Sequence, residues 1–397
     1  MTSTEISVDQ DRLIQLAQSL IRIPSFTYQE TEVARFLHSY LLGAGFEVEL
    51  QEVPLKDRPA SHQVVARWRG AKAGPKVLLC GHLDILEIYR PETWRTDPFG
   101  AVVSEGWLYG SGSLNMKAGV AAIIAAVEGL KQGGFDLHGE IVIAGVMGEI
   151  CGGVGIGHLL KQERDFDYGL VTEPSNLDVA TIAVGTGQGR LRLWGDTLYF
   201  NPHPSAISAM GKVLEALGPA YGPQEPGRWM TFEPCPDLPG YPRFGVRKIV
   251  SGQDYCEVFF DSRLVPGQTN ASVLADLTNL VDTLQAELPG IRAEIHVPVT
   301  PETTNFPAMP ATPADHFLVQ ALVKSHTNVL GKPPVVGAGA RMCLASDGSH
   351  MKAAGIPTVD YGPGKHPRWP MVDERIGVAD VVAAARVVQG MLRELHG

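Results

Sequence analysis

Polar side chains that can catalyse a reaction follow the ends of three apolar segments of this sequence. His82 and Asp84 stand two residues apart in CGHLD, Glu149 follows GEIVIAGVMG, and Glu173 follows YGLVT. Residues two apart on a strand share one face, so the Asp84 carboxylate can orient the His82 imidazole. Because the carboxyl ends of parallel strands meet at one edge of a sheet, these residues are expected to converge on one site.

Asn115 and Lys117 lie in the stretch LYGSGSLNMKAGVAA, where a glycine-rich turn leads into a predicted helix. Position 115 carries a neutral amide, although the other polar residues expected at this site are ionisable. Any one of these polar residues is equally well explained as a helix cap or a solvated strand end. The case for a site therefore depends on their occurring together.

The pattern of elements that must position these residues predicts an α/β fold with two domains. Apolar strand-like runs alternate with helical periodicity in residues 1–180 and again in 298–397, which predicts one catalytic domain around a mixed, mostly parallel sheet. Residues 181–297 follow the order β-α-β-β-α-β, which is typical of a ferredoxin-like α+β unit. The sequence thus predicts a catalytic domain interrupted by an inserted domain.

Composition narrows the function classes. The chain has 397 residues and a net charge of −10, and lacks the clustered Lys and Arg that nucleic acid or an anionic membrane would require. No apolar run reaches the roughly 20 residues of a membrane span, and the start of the chain has no signal-peptide pattern. Five cysteines without a CxxC pair indicate neither disulfides nor a thiolate zinc site. We expect a cytoplasmic protein whose partner is a small molecule.

Several motifs, in their order along the chain, resemble one known family. They are GHLD, YGSGSLNMKAG, GEICGGVG, TEP, GIPTVDYGPG and VDE. They are similar to the two-zinc metallopeptidases and deacylases of the acetylornithine deacetylase, succinyl-diaminopimelate desuccinylase, aminoacylase and carboxypeptidase G group. The resemblance covers nearly the whole chain and implies that the inserted domain serves as a lid and as the interface of a homodimer.

The resemblance implies roles for four retained residues. His82 matches the first zinc ligand of the family and Asp84 the carboxylate that orients it. Glu149 matches the general base, and Glu173 matches an acidic metal ligand. Together with Asn115, the residues His82, Asp84 and Glu149 are the predicted catalytic set.

Three positions depart from the family pattern. The aspartate that bridges both metals falls on Asn115, the second acid of the tandem pair on Ile150, and the last histidine ligand on Pro370. A neutral amide, an alkyl group and a proline do not supply the charge that a pair of divalent ions needs. We therefore expect no metal cofactor, with a single zinc ion on the residual candidates His82 and Glu173 as the alternative.

Further residues are candidates for substrate binding. In the inserted domain, Tyr199 or His203 falls near the position of a family histidine that reaches across the dimer. Arg341 can pair with a substrate carboxylate, although a surface arginine is an equally good interpretation. The full predicted substrate-binding set is Lys117, Glu173, Tyr199, His203, Arg341, Asp347 and His366.

Three hypotheses for function remain open. The first is a diverged enzyme that uses Glu149 as general acid or base on a small amide-, imine- or acyl-bearing substrate without a dinuclear zinc centre. That reaction need not be hydrolytic, and condensation or cyclisation would suit it. The second is an amide hydrolase or deacylase with one weakly held zinc, and the third is a non-catalytic binding protein.

Overall fold

The structure is a computed structural model that describes residues 7–195, 204–218, 222–297, 306–339, 344–365 and 372–397. The chain divides into two compact units. The first comprises Met1–Ile182, Pro310–Met342 and Ser346–Gly397, and the second comprises Ala183–Met309 and Cys343–Ala345.

The helices of the first unit pack on its large sheet and form most of its core. Helix α1 illustrates how the sequence forms such a helix. The Asp9 side chain caps its first turn by accepting the Arg12 backbone N–H at 3.0 Å. Leu13, Leu16 and Leu20 lie on one face of the helix and are buried. Within the residues that the structure describes, the helices, in order, are α1 Gln10–Arg22, α2 Thr31–Gly43, α3 Ala118–Gln132, α4 Val154–Gln162, α5 Ala206–Leu217, α6 Asn270–Glu287, α7 Phe317–Leu330, α8 Gly348–Ala353 and α9 Val378–His396.

The strands form three sheets. In chain order they are β1 Glu47–Leu55, β2 Arg58–Arg69, β3 Lys72–His82, β4 Val102–Ser104, β5 Trp107–Tyr109, β6 His138–Val146, β7 Tyr168–Val171, β8 Val179–Ala180, β9 Gly185–Trp194, β10 Gly222–Pro223, β11 Arg243–Ser251, β12 Tyr255–Leu264, β13 Arg292–His296, β14 Val336–Gly337, β15 Thr358–Asp360 and β16 Arg375–Gly377.

The large sheet of the first unit confirms the predicted fold class. Its order is β1-β2-β6-β3-β7-β15-β8-β14, and four of its seven pairings are parallel. Parallel neighbours β6, β3 and β7 lie at its centre, and their apolar residues are buried, as expected for strands covered on both faces. Their carboxyl ends therefore lie side by side, where a ligand site is expected.

Helix α3 crosses this sheet as a core helix. The segment Ser113–Gln132 is apolar and long enough to pass a length-and-composition test for a membrane span, but 89% of its apolar window is buried inside the protein. It packs between α1 and α9. A turn, Ser113–Lys117, precedes it and carries Asn115, and the backbone of this turn is non-helical at Asn115 and Met116.

The described part of the second unit contains one antiparallel sheet and two helices. Its strand order is β10-β11-β12-β9-β13, and α5 and α6 pack against it through residues such as Met210 and Leu277. Apart from the short β10, the order along the chain is β-α-β-β-α-β. The lid and dimer-interface roles of this unit stay predictions.

Candidate active site

His82 and Asp84 lie at the end of β3 and are fully buried. The His82 Nδ1 lies 3.2 Å from the Asp84 Oδ1 and 2.9 Å from the Asp84 backbone oxygen. Burial alone would lower the pKa of His82, but the hydrogen bond with Asp84 and the nearby carboxylates of Glu149 and Glu173 outweigh it and raise the pKa well above its ordinary value. Asp84 thus holds the ring and leaves Nε2 directed to the opposite side.

The Nε2 atom of His82 lies among oxygen donors. It is 3.2 Å from the Asn115 Oδ1, 3.8 Å from the Glu149 Oε2 and 4.0 Å from the Glu173 Oε1. Donor atoms of His82, Glu149 and Glu173 lie within 4.8 Å of one another, and all three residues are buried. Imidazole and carboxylate groups at such separations are the donor set that zinc and similar divalent ions take in catalytic sites.

Two further observations indicate that the buried carboxylates of this cluster repel one another. Burial, together with the charges of Glu173 and Asp347, raises the pKa of Glu149 well above its ordinary value despite the opposing effect of His82. Asp347 is fully buried as well, burial raises its pKa, and its Oδ1 has no hydrogen-bond partner within the part of the chain that the structure describes. Buried carboxylates that repel one another are stabilised by a bound cation, so the residues present fit a divalent metal ion.

The Asp84 carboxylate also fixes the loop that carries Glu149. Its Oδ1 accepts the Glu149 backbone N–H and its Oδ2 accepts that of Ile150, both at 3.1 Å. The Thr27 hydroxyl donates to Oδ2 at 3.0 Å. One buried carboxylate therefore positions both the imidazole and the acidic loop opposite it.

Glu374 positions the turn that carries Asn115. Its Oε2 accepts the Gly112 N–H at 2.8 Å, and its Oε1 accepts those of Leu114 and Asn115 at 2.9 and 3.0 Å. No role for Glu374 was predicted from the sequence. Its position depends on a long-range strand pairing. β16 begins at Arg375 and pairs with β5, and β5 directly precedes the glycine turn.

Lys117 has a different environment from the one expected of a substrate ligand. Its side chain is fully buried, and its Nζ donates to the backbone oxygens of Leu20 and Ile23 at 2.9 and 2.8 Å. Burial lowers its pKa to about 7. Lys117 thus ties the turn before α3 to the end of α1, and substrate binding by this residue stays a prediction.

Four predicted substrate-binding residues, Tyr199, His203, Arg341 and His366, lie outside the described residues, as does Pro370. Asp347 lies at the start of α8, and its Oδ2 is 4.0 Å from the Cys80 Sγ, in the strand that ends at His82. The assignment of substrate-binding roles to the predicted residues remains a prediction.

A shallow cleft, which encloses about 20 Å³, borders Asn115. Apolar and aromatic side chains supply most of its wall. Its lining residues are Ile85, Leu86, Glu87, Ile88, Tyr89, Trp94, Ser111, Gly112, Asn115, Ile150 and Glu374. The cleft and the His82 cluster therefore share Asn115.

A buried imidazole and buried carboxylates at the carboxyl ends of parallel strands are typical of a metal-binding enzyme site. Residues 78–394 match the model of Peptidase family M20/M25/M40, and the chain belongs to this family. The prediction that the chain is an enzyme and the predicted resemblance are both confirmed.

Two relatives align over nearly the full length of the chain. One is the N-formyl-4-amino-5-aminomethyl-2-methylpyrimidine deformylase of Bacillus subtilis (strain 168), which is 25% identical over 97% of this chain and 94% of its own. Another is the succinyl-diaminopimelate desuccinylase of Methylobacterium sp. (strain 4-46), 29% identical over 96% of this chain and 95% of its own.

Solved structures share the fold at lower identity. The dipeptidase Dug1p of Saccharomyces cerevisiae superposes with a TM-score of 0.78 at 13% identity, covering 98% of this chain and 99% of its own. A dinuclear metal-binding M20 peptidase of Bacillus subtilis superposes with a TM-score of 0.70 at 16% identity, covering 98% of this chain and 97% of its own.

The prediction that the chain uses no metal cofactor is wrong. The family to which the chain belongs includes dinuclear metal-binding peptidases, and His82, Glu149 and Glu173 form a buried cluster suited to a metal ion. The expectation rested on the changed residues at positions 115, 150 and 370. The buried carboxylates of Glu149, Glu173 and Asp347 count against it, because burial and the charge of Glu173 raise the pKa values of the other two.

Proposed function

We propose that this chain is a metal-dependent amide hydrolase that removes a formyl or short acyl group from the nitrogen of a small molecule. The observation that carries the proposal is the buried cluster of His82, Glu149 and Glu173, with Asp84 holding the imidazole. The names of the two aligned relatives support the bond type, because one is a deformylase and the other a desuccinylase.

His82 and Glu173, with the Asn115 side-chain oxygen, would hold one divalent ion. Such an ion, when bound, polarises the amide carbonyl and makes a water molecule more acidic. Glu149 then acts on protons: its carboxylate takes the proton of the attacking water and passes it to the leaving nitrogen as the C–N bond breaks. The products are a carboxylate and an amine.

The proposal specifies one ion per chain. By family resemblance, the ligands of the second ion would come from positions 115, 150 and 370, which are Asn, Ile and Pro here. The Ile150 side chain lines the apolar cleft. Within the described residues, one group of three or more His, Cys, Asp or Glu side chains lies close enough together to share a metal ion.

The test is hydrolysis of a panel of N-formyl and N-acyl amines by purified protein, first treated with chelator and then supplied with zinc. The proposal predicts amine release that depends on added zinc. Release that is equally fast in chelator would contradict it. Consumption of the amide without release of carboxylate would instead favour the condensation or cyclisation predicted from the sequence.

The cytoplasmic location and the homodimer expected from the sequence are part of this proposal. Size-exclusion chromatography with light scattering tests the second of these. A single peak at the mass of one chain would contradict the homodimer.

A further inference from the structure

Two buried carboxylates hold the first half of the Glu149 loop, which comprises residues 148–153 and lies between β6 and α4. Glu30 accepts the N–H of Gly148 at 3.1 Å. Asp84 accepts the backbone N–H groups of Glu149 and of the residue after it, both at 3.1 Å. These bonds fix the loop as far as Glu149 and its neighbour, and they leave the second half of the loop to other contacts.

His350 of α8 holds the second half of the loop. Its Nε2 lies 2.9 Å from the backbone oxygen of Gly152. Because a carbonyl oxygen only accepts hydrogen bonds, this contact requires that Nε2 carry the proton. Burial lowers the pKa of His350, which keeps the ring neutral near pH 7. The ring is therefore a neutral donor, and the bond to Gly152 selects its tautomer.

The same ring packs closely against Gly153, the last residue of the loop. A Cβ atom on Gly153 would lie 2.7 Å from the His350 Cδ2 and 2.8 Å from its Nε2, which is closer than nonbonded atoms approach. The φ of Gly153 is 72°, in the left-handed region that glycine adopts without steric cost. Helix α4 begins at the next residue. His350 thus contacts the loop where the chain enters α4, and the contact requires glycine there.

The place of the Glu149 carboxylate depends on both halves of the loop. Its Oε2 lies 3.8 Å from the His82 Nε2, at the cluster where the amide bond would be hydrolysed. The bonds from Glu30 and Asp84 act up to Glu149, and the bond from His350 acts after it. Contacts on both sides of a residue restrict the tilt of its loop, which contacts on one side do not. A displacement of about 1 Å in such a group costs roughly 10²-fold in rate.

We propose that His350 is a positioning residue for the Glu149 loop. Its hydrogen bond to the Gly152 oxygen keeps the Glu149 carboxylate where a proton can be transferred. This inference rests on the proposed hydrolase function, and it adds to that function a residue of α8 that acts through the loop.

The first test compares two substitutions of His350 in the zinc-loaded protein. In His350→Gln the amide nitrogen can replace Nε2 as the donor, whereas His350→Leu removes the donor. We expect kcat for formamide hydrolysis to fall by about 10- to 100-fold in the Leu variant and to stay within about threefold of wild type in the Gln variant. KM should change little in either. Equal losses in both variants, a change in KM alone, or unchanged kcat in both would overturn the inference.

Hydrogen exchange separates failure of this inference from failure of the proposed function, because it needs no substrate. The Gly152 and Gly153 N–H groups donate to backbone oxygens within the loop. They should exchange about tenfold faster in His350→Leu and at nearly the wild-type rate in His350→Gln. Faster exchange confined to the loop supports the positioning role although no formamide is hydrolysed. Unchanged exchange in the loop, or faster exchange throughout the chain, overturns it although hydrolysis is observed.

His138→Leu is the matched control, because the His138 side chain is 35% exposed at the start of β6. Its kcat and its loop exchange should equal those of the wild type. Changes as large as those in His350→Leu would show that the effect does not come from the contact with Gly152, and they would overturn the inference.

Discussion

The two sides of the candidate site differ in what their residues can hold. On one side, His82, Glu149 and Glu173 bring buried nitrogen and oxygen donors within 4.8 Å of one another. On the other side, Ile150 and its apolar neighbours line a cleft. Asn115 contributes to both. Ionisable groups are thus concentrated in the cluster, whereas apolar side chains predominate in the lining of the adjoining cleft.

The largest effect is expected from Glu149→Gln, which removes the group proposed to move the proton. We expect kcat to fall by about 10²- to 10⁴-fold, the range that general acid–base catalysis usually supplies. Steady-state hydrolysis measures it. Glu52→Gln is the matched control, because the Glu52 side chain is 71% exposed.

The zinc content of the same Glu149 variant distinguishes a proton-transfer role of this residue from a role as metal ligand. Retained zinc with lost activity would agree with a proton-transfer role. Loss of the zinc together with activity would assign Glu149 to the ligands instead, and unchanged kcat would contradict any catalytic role for this residue.

The next effect is expected from Asp84→Asn. The Asp84 carboxylate accepts the backbone N–H groups of Glu149 and Ile150 with its two oxygens. The side chain of Asn has one oxygen and one NH₂ group, so it cannot accept both. Loss of an outer-sphere carboxylate typically weakens metal binding by about 10- to 100-fold. Competition with a zinc chelator gives the affinity, Asp57→Asn on the exposed surface is the control, and an unchanged affinity would refute the orienting role.

A smaller effect is expected from Glu374→Gln. The amide nitrogen of Gln cannot accept the backbone N–H groups that hold the turn carrying Asn115, so the turn should loosen. We expect kcat to fall by about tenfold, with a modest fall in melting temperature. A lower melting temperature with unchanged kcat would show that Glu374 stabilises the fold without positioning Asn115.

The smallest expected effect is a pH dependence of the free energy of unfolding that is caused by Glu30. Glu30 is buried and accepts the Gly148 N–H at 3.1 Å, and burial followed by the charge of Asp84 raises its pKa to about 7. The folded state therefore binds a proton more tightly than the unfolded state between pH 4.5 and 7. Hence the free energy of unfolding should fall as pH rises through that window.

Glu30→Gln removes this ionisation. The free energy of unfolding of the variant, relative to that of the wild type, should therefore rise by roughly 2 kcal/mol between pH 5 and pH 8. Urea denaturation at both pH values measures the difference. Glu32→Gln, at an exposed position in the first turn of α2, the helix that begins directly after Glu30, is the matched control. A constant difference between the Glu30 variant and the wild type would contradict the raised pKa.

The sequence predicted the features that depend on local patterns. The strand preceding His82 and the acidic residues after two further strands were predictable, because apolar runs that end in polar residues mark the carboxyl edge of a parallel sheet. The contacts of Glu374 and Lys117 were not predictable. Glu374 reaches the Asn115 turn over some 260 residues of chain, and Lys117 caps backbone oxygens of another helix. Such contacts depend on tertiary packing.

The most direct test of the account is the number of metal ions per chain. The protein is loaded with excess zinc, passed through a desalting column and analysed by plasma mass spectrometry, beside Glu173→Ala treated in the same way. The account predicts about one zinc per wild-type chain and almost none in the variant. Two zinc ions per wild-type chain, or none, would contradict the proposed one-ion site.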